Sequence, residues 1–206
     1  MTAGSVGAVV LAAGSGSRVG GPKLRMVVDG RSFLARAVNV FASSGVDPVC
    51  CVVAAEDAVW ARQEVAGAPV CVNTDPARGM FSSLVAGLAF LQGNTGAFVA
   101  PVDHPYVHVS TIKTLLTEFR GSSDHVIKPI YHGRAGHPVV LPEHLFPIIQ
   151  QASGSTTLRE VLGRTGVQVR YVDVDDEGVL VNVNTPADIR SQQLVRHEVV
   201  RTSPED

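Results

Sequence analysis

Val6-Gly7-Ala8-Val9-Val10-Leu11 runs directly into Ala12-Ala13-Gly14-Ser15-Gly16-Ser17-Arg18-Val19-Gly20-Gly21-Pro22-Lys23. Six consecutive apolar residues predict a strand covered on both faces, as in a parallel sheet. The small-residue loop that follows offers backbone N–H groups, and Arg18 and Lys23 add positive charge. Such a loop after a buried strand is a cradle for a polyphosphate. It is not a Walker loop, because Lys23 is followed by Leu24 and Arg25 rather than Ser or Thr. Nor does it complete a dinucleotide fingerprint, which after Gly14 and Gly16 requires a glycine where Val19 stands.

Outward from this stretch, short β-branched runs alternate with segments of helical period. Residues 32–44 place Phe33, Ala37, Val40 and Phe41 on one helical face, with Gly45 as the stop. Residues 49–54 form a second strand, in which Cys50 and Cys51 read as small buried hydrophobes. A short third strand at 69–72 leads through the polar turn 73–79 to a helix over 81–91, where Leu84, Leu88 and Leu91 share a face. A fourth strand, 97–102, ends at Asp103, and a helix follows over 110–119. This repetition predicts the α/β class: a three-layer α/β/α sandwich on a Rossmann-like, mostly parallel sheet.

The pattern changes near residue 124. Strands at 126–130 and 138–141 flank the basic turn His132-Gly133-Arg134-Ala135-Gly136, and short helices are expected around 144–151 and 157–162. Residues 167–174 and 179–183 predict a hairpin around Asp175-Asp176-Glu177-Gly178. Pro186 opens a last helix, and the polar tail 199–206 is expected to be disordered. Without a repeat or linker, 1–206 reads as one domain with a first part, 1–123, and a second, 124–198.

Composition narrows the classes. The chain has 206 residues, 17 Lys+Arg against 19 Asp+Glu, a net charge of -2 and 45% hydrophobic residues. That balance excludes general nucleic-acid coating, and the apolar content excludes a disordered chain. Only three lysines occur, Lys23, Lys113 and Lys128, so each placed cation is informative. Arg18, Lys23 and Arg25 fall in a stretch without an acid, and Arg78 enters the turn before the third helix. Three cysteines, Cys50, Cys51 and Cys71, make a poor disulfide framework, and seven scattered histidines offer no zinc spacing. The first residues lack the basic region of a signal peptide and no apolar run nears the ~20 residues of a membrane span, so a cytoplasmic protein with no membrane partner is expected.

Leu11-Ala12-Ala13-Gly14 with Arg18 and Lys23 resembles the nucleotide-binding signature of the MobA-like NTP transferases. Leu-Ala-Ala-Gly and the Arg-to-Lys spacing are most similar to the molybdenum cofactor cytidylyltransferase branch; the guanylyl branch usually reads Leu-Ala-Gly-Gly. Further segments match in order: Asn73 with Gly79-Met80-Phe81-Ser82-Ser83-Leu84, Pro101-Val102-Asp103-His104-Pro105, Gly136-His137-Pro138, and Asn182-Val183-Asn184-Thr185-Pro186 with Asp188. The resemblance spans nearly the whole chain. It implies a nucleotide-diphospho-sugar transferase-like fold and an enzyme that joins CMP from CTP to the phosphate of molybdopterin, releasing pyrophosphate.

The same resemblance implies roles. Leu11, Ala12, Ala13, Gly14, Gly16, Asn73, Gly79, Ser82 and Ser83 would bind the nucleotide. Arg18 would clamp its terminal phosphates, and Lys23 would neutralise charge at the phosphates. Asp103, with Asn184, would hold Mg²⁺, since hard cations select oxygen. Gly136, His137 and Arg159 would face the acceptor, with His137 shaping the site, because an ionised phosphate needs no general base. Residues 1–123 would then serve nucleotide and metal, and 124–198 the acceptor. A molybdenum enzyme or its maturation chaperone is the implied partner. Three departures bear on base and acceptor: Asn182 and Asn184 where the cytidylyl branch carries Asp, Gly154-Ser155-Thr156-Thr157-Leu158-Arg159 where relatives resemble Gly-Asp-x-Gly-Ala-Arg, and His104 where they carry Gln or Met. The competing readings are a transferase using GTP or another phosphorylated acceptor, an NAD(P)H-dependent oxidoreductase on the same scaffold, and a non-catalytic cofactor chaperone.

Overall fold

The first strand is buried at all six positions, which requires neighbours on both edges and a helical layer on both faces. The computed structural model describes residues 4–14, 21–75, 79–152, 156–185 and 187–188. In chain order its elements are β1 (Val6–Leu11), β2 (Val27–Val28), β3 (Arg31–Ser32), α1 (Phe33–Ala42), β4 (Val49–Val53), α2 (Ala58–Glu64), β5 (Val70–Val72) and α3 (Met80–Phe90). There follow β6 (Gly96–Pro101), α4 (Val109–Gly121), β7 (Val126–Tyr131), β8 (Arg134–Ala135), β9 (Val139–Pro142), α5 (Phe146–Gln151), α6 (Leu158–Thr165) and β10 (Val169–Asp173).

The main sheet has the order β10-β7-β9-β6-β1-β4-β5, with β8 added to β7. Pairing is parallel except where β9 runs against β6 and β7, and where β8 folds back on β7. Alternation along the strands sorts the core into two layers. Ala8, Val10, Cys51, Val53 and Phe98 meet Phe33, Leu34, Phe41, Ile112 and Leu115 on the face of α1, α2 and α4. Val9, Leu11, Cys50, Val52 and Val99 meet Phe81, Leu84, Leu88, Ile149 and Val161 on the face of α3, α5 and α6. The result is the expected three-layer sandwich. Cys50 and Cys51 are buried at 0% exposure; burial pushes the Cys51 thiol up to about 12 and Cys50 higher still, so they act as core hydrophobes. Among the described residues no helix is long and apolar enough to cross a membrane.

Local chemistry starts and stops the helices. Ser32 caps α1 by accepting from the Ala35 N–H at 3.0 Å. In α6, Thr157 and Glu160 form a capping box, and Gly166 ends the helix in the left-handed conformation. Helix α2 and the β2–β3 hairpin went unmarked in the sequence pattern.

One expectation is overturned. Residues 167–183 do not form a hairpin: β10 pairs in parallel with β7, Val169 opposite Val126, and Glu177–Val179 is a 3-10 turn. The cause is Asp176, 2% exposed. Its carboxylate accepts from the Gly178 and His108 N–H groups and from the Thr111 hydroxyl, which pins the turn against the start of α4. The chain then crosses the sheet's edge, where the Val179 carbonyl accepts from the His137 N–H and the Asp103 carbonyl from the Val183 N–H. The last helix expected from Pro186 and the tail 199–206 lie outside the described residues.

Candidate active site

β1 leads to β4 on one side, and the chain later returns to β6 on the other. This reversal makes the carboxyl ends of β1 and β6 the crevice where open α/β sheets bind ligands. Leu11 and Pro101 end there side by side. Together with the first residues of α3 they form a cleft of about 360 Å³ lined by Leu11, Ala13, Gly14, Lys23, Gly79, Met80, Ser83, Pro101, Val102 and Asp103. Gly79 enters α3 at φ +75°, a conformation that glycine adopts without steric cost.

Lys23 lies in the 3-10 turn Lys23–Arg25, anchored by Leu24 at 1% exposure. Its Nζ donates to Asp103 Oδ2 at 2.8 Å and to Asn184 Oδ1 at 2.6 Å. Asp103 lies two residues past the end of β6, and Asn184 is steadied by Asp188, whose Oδ2 accepts from the N–H groups of Asn184 and Thr185 at 2.8 and 2.7 Å. Those two bonds hold the Asp188 carboxyl below its ordinary range. For Asp103, burial pushes the pKa up, but hydrogen bonds from His104, at 3.1 Å, and Lys23, reinforced by their charges, outweigh it and hold the carboxyl below its ordinary range. It is a carboxylate at neutral pH.

An ammonium resting between a carboxylate oxygen and an amide oxygen marks a place where two hard donors already face a cation. The donors fit a divalent ion of the Mg²⁺ or Mn²⁺ kind, with an ammonium as stand-in. Among the described residues no three His, Cys, Asp or Glu come together, so substrate oxygens and water would complete such a coordination shell.

Beyond Asp103 lies the segment Gly136-His137-Pro138. A Cβ on Gly136 would strike the Val179 carbonyl, so the close packing of this turn on the 3-10 segment excludes a side chain. The His137 ring meets His104 edge-on, with centroids 5.0 Å apart. Burial, then the neighbouring His104 and Lys128, lower the His137 pKa to about 4, opposed by Asp103; the imidazole is neutral near pH 7. Its Nδ1 is buried and has no hydrogen-bond partner among the described residues.

Asn73, 4% exposed, sits below α3 rather than capping it. Its Nδ2 donates to the Ser82 and Ser83 hydroxyls, both at 2.9 Å, and its Oδ1 accepts from the Asp75 N–H. Ser83 lines the cleft; Asn73 fixes where it stands. Ala12 is buried at the end of β1, and Arg159 is exposed in the first turn of α6. Gly16, Arg18, Arg78, Gly154 and Ser155 lie outside the described residues.

Arg25 leaves the cationic set suggested by the sequence. Its Nε and Nη2 hold Asp57 Oδ1 at 2.9 and 2.7 Å, and its guanidinium lies 4.8 Å from the Trp60 ring centre. The sequence reading also passed over Lys128, whose signal was available: one of three lysines, inside an otherwise apolar strand.

Comparison with known proteins places this geometry. The MobA-like NTP transferase domain matches residues 8–169. Nicotine blue oxidoreductase of Paenarthrobacter nicotinovorans is 32% identical over 187 residues, covering 86% of this chain and 91% of that protein. Rv0371c of Mycobacterium tuberculosis H37Rv superposes with a TM-score of 0.77 at 24% identity, over 93% of this chain and 98% of its own; its manganese complex superposes at 0.74 and 22%, over 91% and 97%. Molybdopterin-guanine dinucleotide biosynthesis protein A of Archaeoglobus fulgidus gives 0.71 at 18%, over 94% and 99%. The domain match spans most of the chain: the chain belongs to the MobA-like NTP transferase family, a family of nucleotidyltransferases.

Proposed function

We propose that the protein transfers the CMP moiety of CTP to the phosphate of molybdopterin, or of the molybdenum cofactor, with Mg²⁺ and release of pyrophosphate. The observation that carries this reading is the convergence of Lys23, Asp103 and Asn184 at the mouth of the β1–β6 cleft. In the reaction an acceptor phosphate oxygen forms a bond to the α-phosphorus. The bond from that phosphorus to the β-phosphate breaks, and its electron pair leaves with pyrophosphate. Both reactants are anions, so positioning and neutralisation carry most of the catalysis. Lys23, once exchanged from Asp103 to a phosphate oxygen, neutralises the charge that develops there. Asp103 and Asn184 are the residues that would hold the metal, which when bound withdraws charge from the phosphate oxygens. Ser83 and the amides around Gly14 and Gly79 line the nucleotide's side of the cleft, and Gly136, His137 and Arg159 face the acceptor. Residues 1–123 are thus the nucleotide part and 124–198 the acceptor part of one domain.

Support for the acceptor comes from the molybdopterin named for the Archaeoglobus neighbour, and support for a divalent metal from the manganese complex of Rv0371c. Ala13, where the guanylyl branch's Leu-Ala-Gly-Gly has its first glycine, favours CTP over GTP. The reaction belongs in the cytoplasm, with a molybdenum enzyme or its chaperone as recipient. The test is pyrophosphate release with each of the four NTPs, Mg²⁺ and purified molybdopterin, comparing wild type with Asp103→Ala and Lys23→Ala. Release with CTP that both substitutions abolish is expected; release only with GTP, or only with another phosphorylated acceptor, refutes the assignment of base or acceptor.

A second reading is favoured by the Paenarthrobacter relative, whose name records an oxidoreductase. It predicts that the protein binds NADPH and not CTP. Titrating both nucleotides by calorimetry separates the two readings.

A further inference from the structure

Cys71 lies in β5, which ends the main sheet and pairs with β4 on one side. In that pairing it stands opposite Val52, so Cys50 and Cys71 are diagonal neighbours on one face. Both thiols pack in the layer of Phe81, Leu84 and Leu88 under α3. The Cys50 S–H donates to Cys71 Sγ at 3.1 Å. Cys51 belongs to the opposite layer and takes no part. Exposure separates the pair: Cys50 is fully buried, whereas Cys71 is half-buried on the edge strand. Burial, then the bond to Cys71, hold Cys50 as a neutral thiol. Cys71 is the sulfur that a solute meets first.

We propose that Cys50 and Cys71 are a modification site, at which a hydroperoxide closes the pair into an intramolecular disulfide. With hydrogen peroxide, the Cys71 thiolate attacks one oxygen and the O–O bond breaks. The departing hydroxide takes up the thiol's proton as water, and Cys71 becomes a sulfenic acid. The Cys50 sulfur then attacks the Cys71 sulfur, the S–O bond breaks, and hydroxide leaves with the Cys50 proton as a second water. Two thiols thus give two electrons and two protons to one peroxide. Contact before reaction offsets the weak nucleophilicity of a neutral thiol. An S–S bond is ~2.05 Å long, so about 1 Å of approach completes it. The three-residue strand β5, paired on one side, is the part that gives. Asn73 lies two residues beyond Cys71, and its Nδ2 holds the Ser82 and Ser83 hydroxyls, both at 2.9 Å. Drawing β5 towards β4 shifts that amide, and with it Ser83 in the cleft. Resting on the transferase reading above, the disulfide form binds CTP more weakly.

The full chain is treated with hydrogen peroxide, its remaining thiols are alkylated in denaturant, and its peptides are read by mass spectrometry. Wild type and Cys51→Ala should yield a peptide pair joined through Cys50 and Cys71, which dithiothreitol separates. In wild type Cys51 alone, of the three cysteines, should then be alkylated. Neither Cys71→Ser nor Cys50→Ala should give the cross-link, and in Cys50→Ala the Cys71 sulfenic acid should be trapped by dimedone. Three free thiols in treated wild type overturn the proposal. So does Cys71 oxidised to a sulfinic acid without a cross-link, or a disulfide between two chains. CTP affinity of wild type, measured by calorimetry, should be about 5-fold weaker in the disulfide form and recover with dithiothreitol. Equal affinity in the two forms overturns the link to the cleft. Absence of CTP binding by the reduced protein refutes the transferase reading alone; the cross-link then still decides the modification site.

Discussion

Asp103 holds Lys23 at 2.8 Å and His104 at 3.1 Å, whereas burial and then the like charge of Arg159 lower the Lys128 pKa. Both groups sit at the same edge of the sheet, linked through the His104–His137 ring contact. Around Asp103, charges are neutralised in pairs and the donors are hard oxygens, so a divalent cation can replace an ammonium with little rearrangement. Around Lys128 the side chain makes no ion pair among the described residues, and burial opposes its charge. The donors of the first arrangement suit a divalent cation.

The largest expected effect breaks the compensated group. Asp103→Ala removes the carboxylate and should lower turnover by about 10³-fold, several kcal/mol of barrier. Mn²⁺ binding followed by electron paramagnetic resonance should weaken in parallel. Undiminished metal affinity in that variant would place the metal elsewhere.

The next effect tests the uncompensated group through its neutral member. The unfolded chain binds a proton at His137 near pH 6.5, the folded protein only near pH 4, because burial and then the neighbouring His104 and Lys128 oppose it. Between those values the unfolded state holds more protons, so stability falls as pH drops through this window. Above it the imidazole is neutral in both states and adds no slope. The full loss amounts to about 3 kcal/mol. His137→Asn should flatten that part of a denaturant-measured stability profile; an unchanged profile would mean that the histidine is solvated and that the charge around it is not confined.

Much of the first group was legible in the sequence because its chemistry sits where strands end. β1, its loop, Asp103 after β6 and Asn184 near Asp188 are local signals, and the sheet then carries them together. What was missed is set by distant partners. The alternation in 167–183 fits a hairpin as well as it fits a parallel edge strand; buried Asp176, fixed from Thr111 and His108, decides between them. Helix α2 has seven residues, too few for its period to stand out. Lys128 in a strand reads as a solvated charge until α6 is laid over it. Arg25 was counted with the phosphate-binding cations because nothing nearby claims it; Asp57, 32 residues on, does.

Arg25 therefore sharpens the comparison with the smallest effect. It lies two residues from Lys23 in the same 3-10 turn, yet its partner carboxylate has 5% side-chain exposure and its own side chain 42%. Removing it leaves Asp57 buried and unpaired, a cost between the surface and buried extremes of about 2 kcal/mol. In a chain of this size that lowers the melting temperature by about 6 °C. Arg25→Ala should show this in a thermal melt, while turnover per folded molecule stays within about twofold because no reacting group is touched. Arg25→Lys should recover part of the stability, since one ammonium replaces the charge but not the paired guanidinium nitrogens. A large fall in turnover at unchanged stability would instead return Arg25 to the phosphate-binding set, and the division between catalytic and structural cations within this single turn would fail.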